Sequence, residues 1–408
     1  MTPHASLTME HVRRASVELA SVIRPTPLVE APSFCQDAQI YIKPENLQVT
    51  GSFKVRGASY MISQLTEKER AKGVIACSAG NHAQGVALAA RKYGIRSIIC
   101  LPEGAPISKV EATRSYGAEI CLVPGVYDDA YNHALQLKEE QGMTFVHPFD
   151  DPLVIAGQGT IGLEILEDLE DTDIILCPVG GGGLACGVAY AVKQIRPQIK
   201  VYGIQAEGAP SMADSLRENR ILRLDFVNTV ADGIAVKQPG ELTFELCRQY
   251  LDGVVTVSED EICAAILHLL EKHKTIAEGA GAVSIAAAMF QKVPLKGKRV
   301  VCIVSGGNVD VNFLNRIINR GLEKSGRKCT LSILVVDKPG QLQLVSELIA
   351  GLGANVTAVL HDRNVTTRNI SDLVLRVTIE TRNIEHMENV RQTLKSHGFY
   401  LMDNTDII

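Results

Sequence analysis

The chain has 408 residues, of which 46% are hydrophobic and 21% charged, and its formal net charge is −5 at pH 7. Its length predicts about two to three domains, and its composition is typical of a globular protein with large buried cores. The slight negative charge and the lack of a Lys/Arg cluster exclude a typical nucleic-acid-binding protein. No apolar run reaches the roughly 18 residues of a membrane span, and the first residues lack the apolar core of a signal peptide. We therefore expect a cytoplasmic protein without a nucleic-acid or membrane partner.

The ten cysteines predict neither a disulfide framework nor a metal site. They include no CxxC pair, and several lie inside apolar, strand-like runs, where thiols act as small hydrophobic groups. The cysteines in such runs are Cys77, Cys100, Cys121, Cys177 and Cys302. A chain of this size does not need disulfides, and no spacing here is typical of zinc ligands. We therefore predict free thiols and no metal.

The first strand–helix junction carries a lysine. An alternating strand over residues 40–44 is followed by a polar turn that ends at Thr50-Gly51, and a helical pattern then starts at Lys54. A cation at a helix start is poorly placed for stability, because the N-terminal end of the helix dipole repels it. The position favours a lysine used for chemistry, as a nucleophile or base whose ammonium form is destabilised. The alternative is a solvated surface lysine that follows a Gly-Ser cap.

From about residue 73 onward, short apolar strands alternate with helical segments. The predicted strands are 73–77, 97–101, 119–123 and 144–146 in a first series, and 173–179, 201–205, 254–257 and 299–304 in a second. Near-continuous apolar strands separated by helices are typical of parallel sheets covered on both faces, so the predicted fold class is α/β. Two series predict two lobes, and the cleft between them is the natural site for a ligand.

A polar turn follows the strand that ends at Cys77 and opens a helix; its sequence is Ser78-Ala79-Gly80-Asn81-His82-Ala83-Gln84-Gly85. Free backbone N–H groups and the helix dipole make such a turn suited to a carboxylate. Further donors come from the side chains of Ser78, Asn81, His82 and Gln84. The alternative is an ordinary Ser/Asn helix cap beside a structural histidine.

Four consecutive glycines, Gly180 to Gly183, join the strand at 173–179 to the next helix. Glycines let the backbone curl closely around an anion, so this turn predicts a nest of N–H donors for a phosphate. A competing interpretation exists, because Gly180, Gly182 and Ala185 also fit the G-x-G-x-x-G/A pattern of dinucleotide-binding loops, with Glu207 at the spacing of a ribose-binding acid. That NAD-binding interpretation leaves Lys54 and the Asn81 turn without a role.

Ser305-Gly306-Gly307-Asn308 follows the strand at 299–304 and places a hydroxyl at the carboxyl end of a parallel strand. Open α/β sheets bind ligands at that edge, although one Ser-Gly-Gly is also compatible with an ordinary turn. Together, a lysine amine, a phosphate nest and a neutral hydroxyl are the groups needed to hold pyridoxal phosphate as a Schiff base.

With these motifs in this order, residues from about 20 to 320 closely resemble the fold-type II pyridoxal-phosphate enzymes of the threonine dehydratase (threonine ammonia-lyase) and serine racemase group. The resemblance implies a two-lobed, tryptophan-synthase-β-like catalytic domain over 1–320, whose small lobe, about 51–150, is inserted in the large lobe. For the cofactor it implies Lys54 as the Schiff-base lysine, Phe53 beside the ring, Asn81 at the phenolic oxygen, Gly180, Gly181, Gly182, Gly183 and Leu184 at the phosphate, and Ser305 at the pyridine nitrogen. For the substrate carboxylate it implies Ser78, Ala79, Asn81, His82 and Gln84.

The same resemblance implies an activity, which is conversion of L-threonine to 2-ketobutyrate and ammonia, and of L-serine to pyruvate, with Lys54 as the base that removes the α-proton. Serine racemases of the group carry a second serine where this chain has Ala79, which has no proton to give, so the dehydratase is favoured over the racemase. Another hydroxy-amino-acid lyase on the same scaffold remains an alternative. Racemases of the group also bind a divalent cation through an acid near Glu207 and a second acid six residues further on. This chain has Ala213 at the second position, so no metal is predicted there. A third hypothesis is an inactive amino-acid sensor.

After a short polar linker, predicted at 321–328, residues 329–408 follow a βαββαβ pattern, which is ferredoxin-like. This part resembles an ACT domain, whose first strand–helix turn here carries the candidate regulatory residues Asp337, Gly340 and Leu342. The resemblance implies a small effector, an amino acid or a nucleotide, and a homodimer or homotetramer. The alternative is a module that serves only in dimerisation.

Overall fold

The computed structural model describes residues 7–363 and 371–402, and the chain divides into two compact units, Met1–Asp310 and Val311–Ile408. The strands of the first unit are β1 (Val29–Glu30), β2 (Gln39–Lys43), β3 (Val74–Cys77), β4 (Ser97–Pro102), β5 (Glu119–Val123), β6 (Thr144–Phe145), β7 (Ile174–Pro178), β8 (Lys200–Ala206), β9 (Gly253–Val257) and β10 (Arg299–Ile303). Its α-helices are α1 (Met9–Leu19), α2 (Lys54–Ser63), α3 (Glu67–Lys72), α4 (Asn81–Lys92), α5 (Ile107–Ser115), α6 (Tyr127–Gln141), α7 (Pro152–Asp168), α8 (Gly183–Ile195), α9 (Ser211–Arg217), α10 (Glu241–Tyr250), α11 (Glu259–His273) and α12 (Gly279–Met289). Three short 3-10 helices span Pro32–Phe34, Glu45–Leu47 and Asp232–Ile234.

Two parallel sheets confirm the predicted α/β class. The larger sheet has the order β1-β2-β10-β7-β8-β9, with only β1 antiparallel to its neighbour, and the smaller sheet has the order β5-β4-β3-β6. Every residue of β3 and β7 is buried, as expected for parallel strands that are covered by helices on both faces. The small-sheet strands all fall between residues 74 and 145, so they form the lobe inserted between β2 and β7.

The pairing of β2 with β10 explains how distant segments meet at one edge of the large sheet. The two strands are parallel, with Lys43 opposite Ile303, so the chain leaves both of them at the same edge. There the two segments form a bridge between Ser52 and Gly306, and the Phe53 N–H donates to the Ser305 carbonyl at 3.1 Å. The turn that precedes Lys54 therefore lies directly against the turn that follows β10.

Close backbone packing sets the position of α2, the helix that starts at Lys54. A Cβ atom on Gly157 of α7 would lie 2.7 Å from the Gly57 Cα, which is closer than real Cβ contacts come. Glycine on both helices therefore lets their backbones touch. The large-lobe core beneath them includes Ile155, Ile161 and Ile165, which are all fully buried. Burial of each such side chain stabilises the folded state by roughly 1.5–3 kcal/mol.

The second unit consists of α13 (Val311–Lys324), β11 (Lys328–Val336), α14 (Gln341–Gly351), β12 (Asn355–Asp362), β13 (Asp372–Glu380), α15 (Ile384–Ser396) and β14 (Tyr400–Met402). Its antiparallel sheet has the order β12-β13-β11-β14. The predicted βαββαβ order is confirmed, and the sheet order is that of a ferredoxin-like, ACT-like fold. Residues 364–370 and 403–408 of the predicted 329–408 range lie outside the described residues.

The predicted linker at 321–328 differs from the structure. Helix α13 continues through Lys324, and the boundary between the two units falls after Asp310. Leu314, Ile317 and Leu322 are spaced as one face of a helix, and this pattern outweighs the roughly 1 kcal/mol that a glycine at position 321 costs a helix. Only residues 325–327 remain between α13 and β11.

Within 7–363 and 371–402, no helix combines the length and apolar character needed to cross a membrane. Over the same ranges, no group of three or more His, Cys, Asp or Glu side chains is arranged to hold a metal ion.

Candidate active site

Lys54 is the first residue of α2, preceded by Phe53, which makes no side-chain capping hydrogen bond. Its Nζ lies 5.3 Å from the centre of the Phe53 ring and donates to the Pro148 carbonyl at 2.6 Å. Burial destabilises the ammonium and lowers the pKa of Lys54 to about 8, against the opposing attraction of the Glu278 carboxyl. Lys54 is thus partly buried, and about half of it is the free amine near pH 8.

The segment at 146–150, which sequence reasoning did not single out, joins the two lobes at this point. Its Val146 carbonyl bonds the His82 Nε2 at 2.8 Å, and its Pro148 carbonyl holds Lys54. The Asp150 carboxylate accepts from the Thr243 N–H at the start of α10, at 3.0 Å. The sequence does contain a pattern that points to this segment. It follows β6, a strand parallel to β3, and therefore leaves the sheet at the same edge as the Asn81 turn.

Gly180 to Gly183 form a tight turn between β7 and α8, as predicted. Gly182 has φ +103°, a left-handed conformation that favours glycine. A Cβ on Gly181 would lie 2.4 Å from the ring of Phe149, and one on Gly183 would lie 2.9 Å from the backbone of Phe149. The first N–H groups of a helix have no partner within it, so α8 offers donors to an anion here. Leu184, the next residue, is buried in the large-lobe core.

The Asn81 turn follows β3, and Asn81 is the first residue of α4. The Ser78 hydroxyl accepts from the Gly80 N–H at 3.2 Å, and Ala79 packs against the small-lobe core. His82 is buried, and its pKa falls to about 3 because burial and nearby Lys54 both disfavour the imidazolium. His82 is therefore neutral at physiological pH.

Gln84, also in the predicted substrate set, is buried, with 5% of its surface exposed. Ser305 is buried as well, and its hydroxyl donates to the Ala280 carbonyl at 3.3 Å. That hydrogen bond is long, so the hydroxyl can turn to a better acceptor. The neighbouring Asn308 contacts Asn81, since its Nδ2 donates to the Asn81 Oδ1 at 2.8 Å.

Glu278 is a site residue that sequence reasoning missed. It is buried immediately before α12, and its Oε1 accepts from the Asn81 Nδ2 at 2.7 Å. Burial is the main reason that the pKa of Glu278 rises to about 8, and Asp232 raises it further. No local sequence pattern points to this contact, because Glu278 and Asn81 are separated by 197 residues.

The three candidate regulatory residues of the second unit line one cavity of about 400 Å³, at the turn between β11 and α14. Asp337 accepts two hydrogen bonds from Arg363, at 2.9 and 3.2 Å, and this contact lowers the pKa of its carboxyl. Gly340 has φ +94° and precedes the first residue of α14. The Lys338 and His361 side chains also line the cavity.

The residues of the first unit fit pyridoxal phosphate. A partly buried amine with a lowered pKa, Lys54, can bond the aldehyde carbon. The turn at Gly180 to Gly183 has N–H groups for a phosphate and no room for a Cβ where Phe149 packs against it. Ser305 supplies a neutral hydroxyl, and the Asn81 Nδ2 has a second hydrogen besides the one given to Glu278.

Comparison with known proteins places the chain in a family. Residues 19–306 match the family described as pyridoxal-phosphate dependent enzyme. The chain is 49% identical to the L-threonine ammonia-lyase of Thermotoga maritima over 96% of this chain and 98% of that protein. Among solved structures, it is 40% identical to the processed form of threonine deaminase isoform 2 from Solanum lycopersicum (TM-score 0.71; 78% of this chain, 95% of that chain). It is 34% identical to maize serine racemase (TM-score 0.74; 78% of this chain, 99% of that chain).

These matches favour a pyridoxal-phosphate enzyme over the NAD-binding interpretation. The L-threonine ammonia-lyases of Thermotoga maritima and Geobacter sulfurreducens are 49% and 44% identical to the chain over 96% of its length, and the fold agrees with the match. The chain therefore belongs to the family of pyridoxal-phosphate dependent enzymes.

Proposed function

We propose that this protein converts L-threonine to 2-ketobutyrate and ammonia, and L-serine more weakly to pyruvate and ammonia. The observation that carries the proposal is the Lys54 amine, partly buried at a helix start, with its pKa lowered to about 8. The threonine ammonia-lyases and threonine deaminase among the relatives support the choice of substrate. When bound, pyridoxal phosphate supplies an electron sink for the charge left on the α-carbon.

The roles of the residues follow from their environments. We assign to Lys54 the amine that would hold the cofactor and the role of general base that would remove the α-proton of the substrate. A base with a pKa near 8 is better matched to this step than an ordinary lysine, because a larger fraction of it is unprotonated at neutral pH. Phe53 lies beside this amine and is assigned to pack against the cofactor ring.

Binding of the two anionic groups is assigned to two helix starts. We assign the cofactor phosphate to the turn Gly180 to Gly183 at the start of α8. The substrate carboxylate is assigned to the turn that begins at Ser78 and ends at the start of α4. A neutral His82 contributes no positive charge there, so backbone N–H groups and neutral side chains bind the carboxylate. Ser305 is assigned to the pyridine nitrogen, which a neutral hydroxyl leaves unprotonated.

Serine racemisation is the second candidate, and the 34% identity to maize serine racemase favours it. Racemisation needs a proton donor on the face of the substrate opposite Lys54. Ala79, in the Ser78–Asn81 turn, has only a methyl side chain, so it has no proton to give, and it packs against the small-lobe core. We therefore rank elimination above racemisation.

The test is keto-acid release from L-threonine and L-serine by the purified protein loaded with pyridoxal phosphate. Lys54→Ala is measured alongside, and D-serine formation is followed in the same samples. Release from L-threonine by the wild type alone is the expected result. D-serine without keto acid would favour the racemase, and activity retained in Lys54→Ala would overturn the assignment of the base. A protein that binds the cofactor but turns over no hydroxy amino acid would favour the sensor hypothesis.

We also propose that the second unit binds a small effector, an amino acid or a nucleotide, in the cavity at the β11–α14 turn. Its lining presents cationic Lys338 and Arg363 beside the N-terminus of α14, a combination suited to a carboxylate or a phosphate. Asp337 can pair with the ammonium of an amino acid.

We further propose a cytoplasmic homodimer or homotetramer, since ACT-like domains commonly pair.

The effector test measures threonine turnover with each protein amino acid and with nucleoside monophosphates. Arg363→Ala is the variant, because Arg363 lines the cavity and lies outside the proposed catalytic machinery. An effector that changes wild-type turnover and loses this effect in Arg363→Ala is expected. A response that is unchanged in the variant would place the effector elsewhere.

A further inference from the structure

The carboxamide of Asn81 is held in one orientation by a chain of hydrogen bonds. Asn308 donates through its Nδ2 to the Thr50 carbonyl at 2.7 Å and to the Asn81 Oδ1 at 2.8 Å. A carbonyl can only accept, so the Asn308 amide group has its nitrogen on this side. The Asn81 oxygen must then face Asn308, and its Nδ2 must face Glu278. One backbone carbonyl thus fixes the direction of the whole chain.

The Glu278 carboxyl is the last acceptor in this chain, and the surrounding backbone determines its position. The Glu278 N–H donates to the Gly306 carbonyl at 3.1 Å. A Cβ on Gly306 would lie 2.4 Å from the Glu278 Oε1, and one on Gly233 would lie 3.3 Å from it. Two glycines therefore leave room for the carboxyl beside Asn81. Glu278 is buried there, with only 5% of its surface exposed to solvent.

The groups that face this carboxyl do not stabilise its ionised form enough to offset its burial. Asp232 raises the pKa of Glu278, while Asn81, Lys109 and Lys54 lower it, and burial outweighs all of them. Lys109 is itself bonded to Asp232 at 2.6 Å, so its charge is largely neutralised there. Burial also lowers the pKa of Lys54 to about 8, so that amine loses its positive charge in the same pH range in which Glu278 loses its proton.

We propose that Glu278 is a positioning residue that works as a neutral carboxylic acid and, through Asn81, presents an N–H to the phenolic oxygen of pyridoxal phosphate. The Asn81 Nδ2 gives one hydrogen to the carbonyl oxygen of the acid, and its second hydrogen remains for the cofactor. A carboxylate at this place would set a negative charge close to the phenolic oxygen, which carries negative charge itself. The neutral acid avoids that repulsion. This inference rests on the proposed contact between Asn81 and the cofactor.

A glutamine is the decisive substitution, because it has the shape of the neutral acid and cannot ionise. We expect Glu278→Gln to keep the dissociation constant for pyridoxal phosphate within about twofold of wild type at pH 7. In the wild type we expect deprotonation of Lys54 to strengthen cofactor binding and deprotonation of Glu278 to weaken it, and both changes fall near pH 8. Glu278→Gln should keep the first change and lose the second.

The measurement is a titration of each protein with pyridoxal phosphate, followed by visible absorption from pH 6 to pH 10. Glu278→Leu, which offers no acceptor, should bind the cofactor at least tenfold more weakly. In an Asn81→Ala background, the same Leu substitution should change the dissociation constant less than twofold, because Glu278 acts through Asn81. Thermal unfolding of each apoprotein shows that the variants are folded.

Several outcomes would overturn the proposal. Glu278→Gln binding the cofactor as weakly as Glu278→Leu would show that the ionised carboxylate is the working form. An alkaline weakening that persists in Glu278→Gln would assign that change to another group. Wild-type affinity in Asn81→Ala would remove the contact on which the inference rests. None of these readings depends on substrate, so they are separate from a failure of threonine turnover. If Glu278→Leu does not fold, the pH profile of Glu278→Gln decides alone.

Discussion

Arg56 and Glu45 form a buried, bidentate ion pair, in which the Arg56 Nε and Nη2 each lie 2.8 Å from a Glu45 carboxylate oxygen. Both side chains are fully shielded from solvent. Arg56 also bonds Glu164 of α7, which in turn pairs with Lys43 of β2 at 2.6 Å. Because Arg56 lies two residues after Lys54, this network fixes the first turn of the helix that carries the proposed base.

Arg56→Met should destabilise the protein strongly. The substitution keeps most of the side-chain volume but leaves the Glu45 carboxylate buried without its cation, which costs about 3–5 kcal/mol for a buried pair. The free energy of unfolding, from chemical denaturation of the apoprotein, is the measurement. Arg96→Met is the control, because the Arg96–Glu119 pair is exposed and should contribute less than about 1 kcal/mol. Equal losses from the two substitutions would contradict this account.

Glu278 should make the stability of the apoprotein depend on pH. Its pKa is 4.5 in an unfolded chain and about 8 in the fold, so between these values the folded state holds a proton that the unfolded state releases. The contribution of Glu278 to the free energy of unfolding is therefore full below about pH 4.5 and falls as the pH rises to about 8, by an amount on the order of a few kcal/mol.

Glu278→Gln provides the measurement of that dependence. The free energy of unfolding of the wild type minus that of Glu278→Gln should decrease from pH 5 to pH 8, because only the wild type can lose the proton. Two stability curves that stay parallel over this range would show that Glu278 keeps an ordinary pKa in the fold.

Most of the site could be predicted because its parts follow apolar strands. Asn81 and Ser305 follow closely on β3 of the small sheet and β10 of the large sheet, and the turn that precedes Lys54 lies against the turn after β10. Glu278 lies between two helices instead, and its role depends on burial and on contact with Asn81, which no local pattern encodes. The extent of α13 differs from the predicted linker for a different reason, because the stretch at 321–328 is polar and flanked by glycines although the apolar spacing of the helix continues to Leu322.

Gly181→Ala should weaken cofactor binding. The new Cβ would lie 2.4 Å from the Phe149 ring, so either the ring or the glycine turn must move, and Phe149 directly follows Pro148, whose carbonyl holds Lys54. We expect at least a tenfold rise in the dissociation constant for pyridoxal phosphate, or about 1.4 kcal/mol. Gly104→Ala is the control, because a Cβ there meets nothing within 4 Å. An unchanged constant in Gly181→Ala would show that the turn adapts without cost.

The ion pair between Lys109 of the small lobe and Asp232 of the large lobe should tune the proton affinity of Glu278 from across the cleft. Lys109 lowers the pKa of Glu278 and Asp232 raises it. Lys109→Met should therefore move the alkaline weakening of cofactor binding to higher pH, and Asp232→Asn should move it to lower pH. Opposite substitutions with opposite shifts would be difficult to explain by a general loosening of the structure.

Salt provides the control for this electrostatic explanation. The Lys109–Asp232 pair is partly exposed, with side-chain exposures of 21% and 59%, so its field is open to screening. In 1 M salt, where the screening length is about 3 Å, the shift caused by each substitution should shrink relative to that at low salt. The alkaline change itself should persist, because it comes mainly from burial of the Glu278 carboxyl, which salt does not reach. In the contrary case, the alkaline change shifts in the same direction in both variants, or by an amount that does not depend on salt. Either result would show that the pair acts by holding the lobes in place and not through its charges.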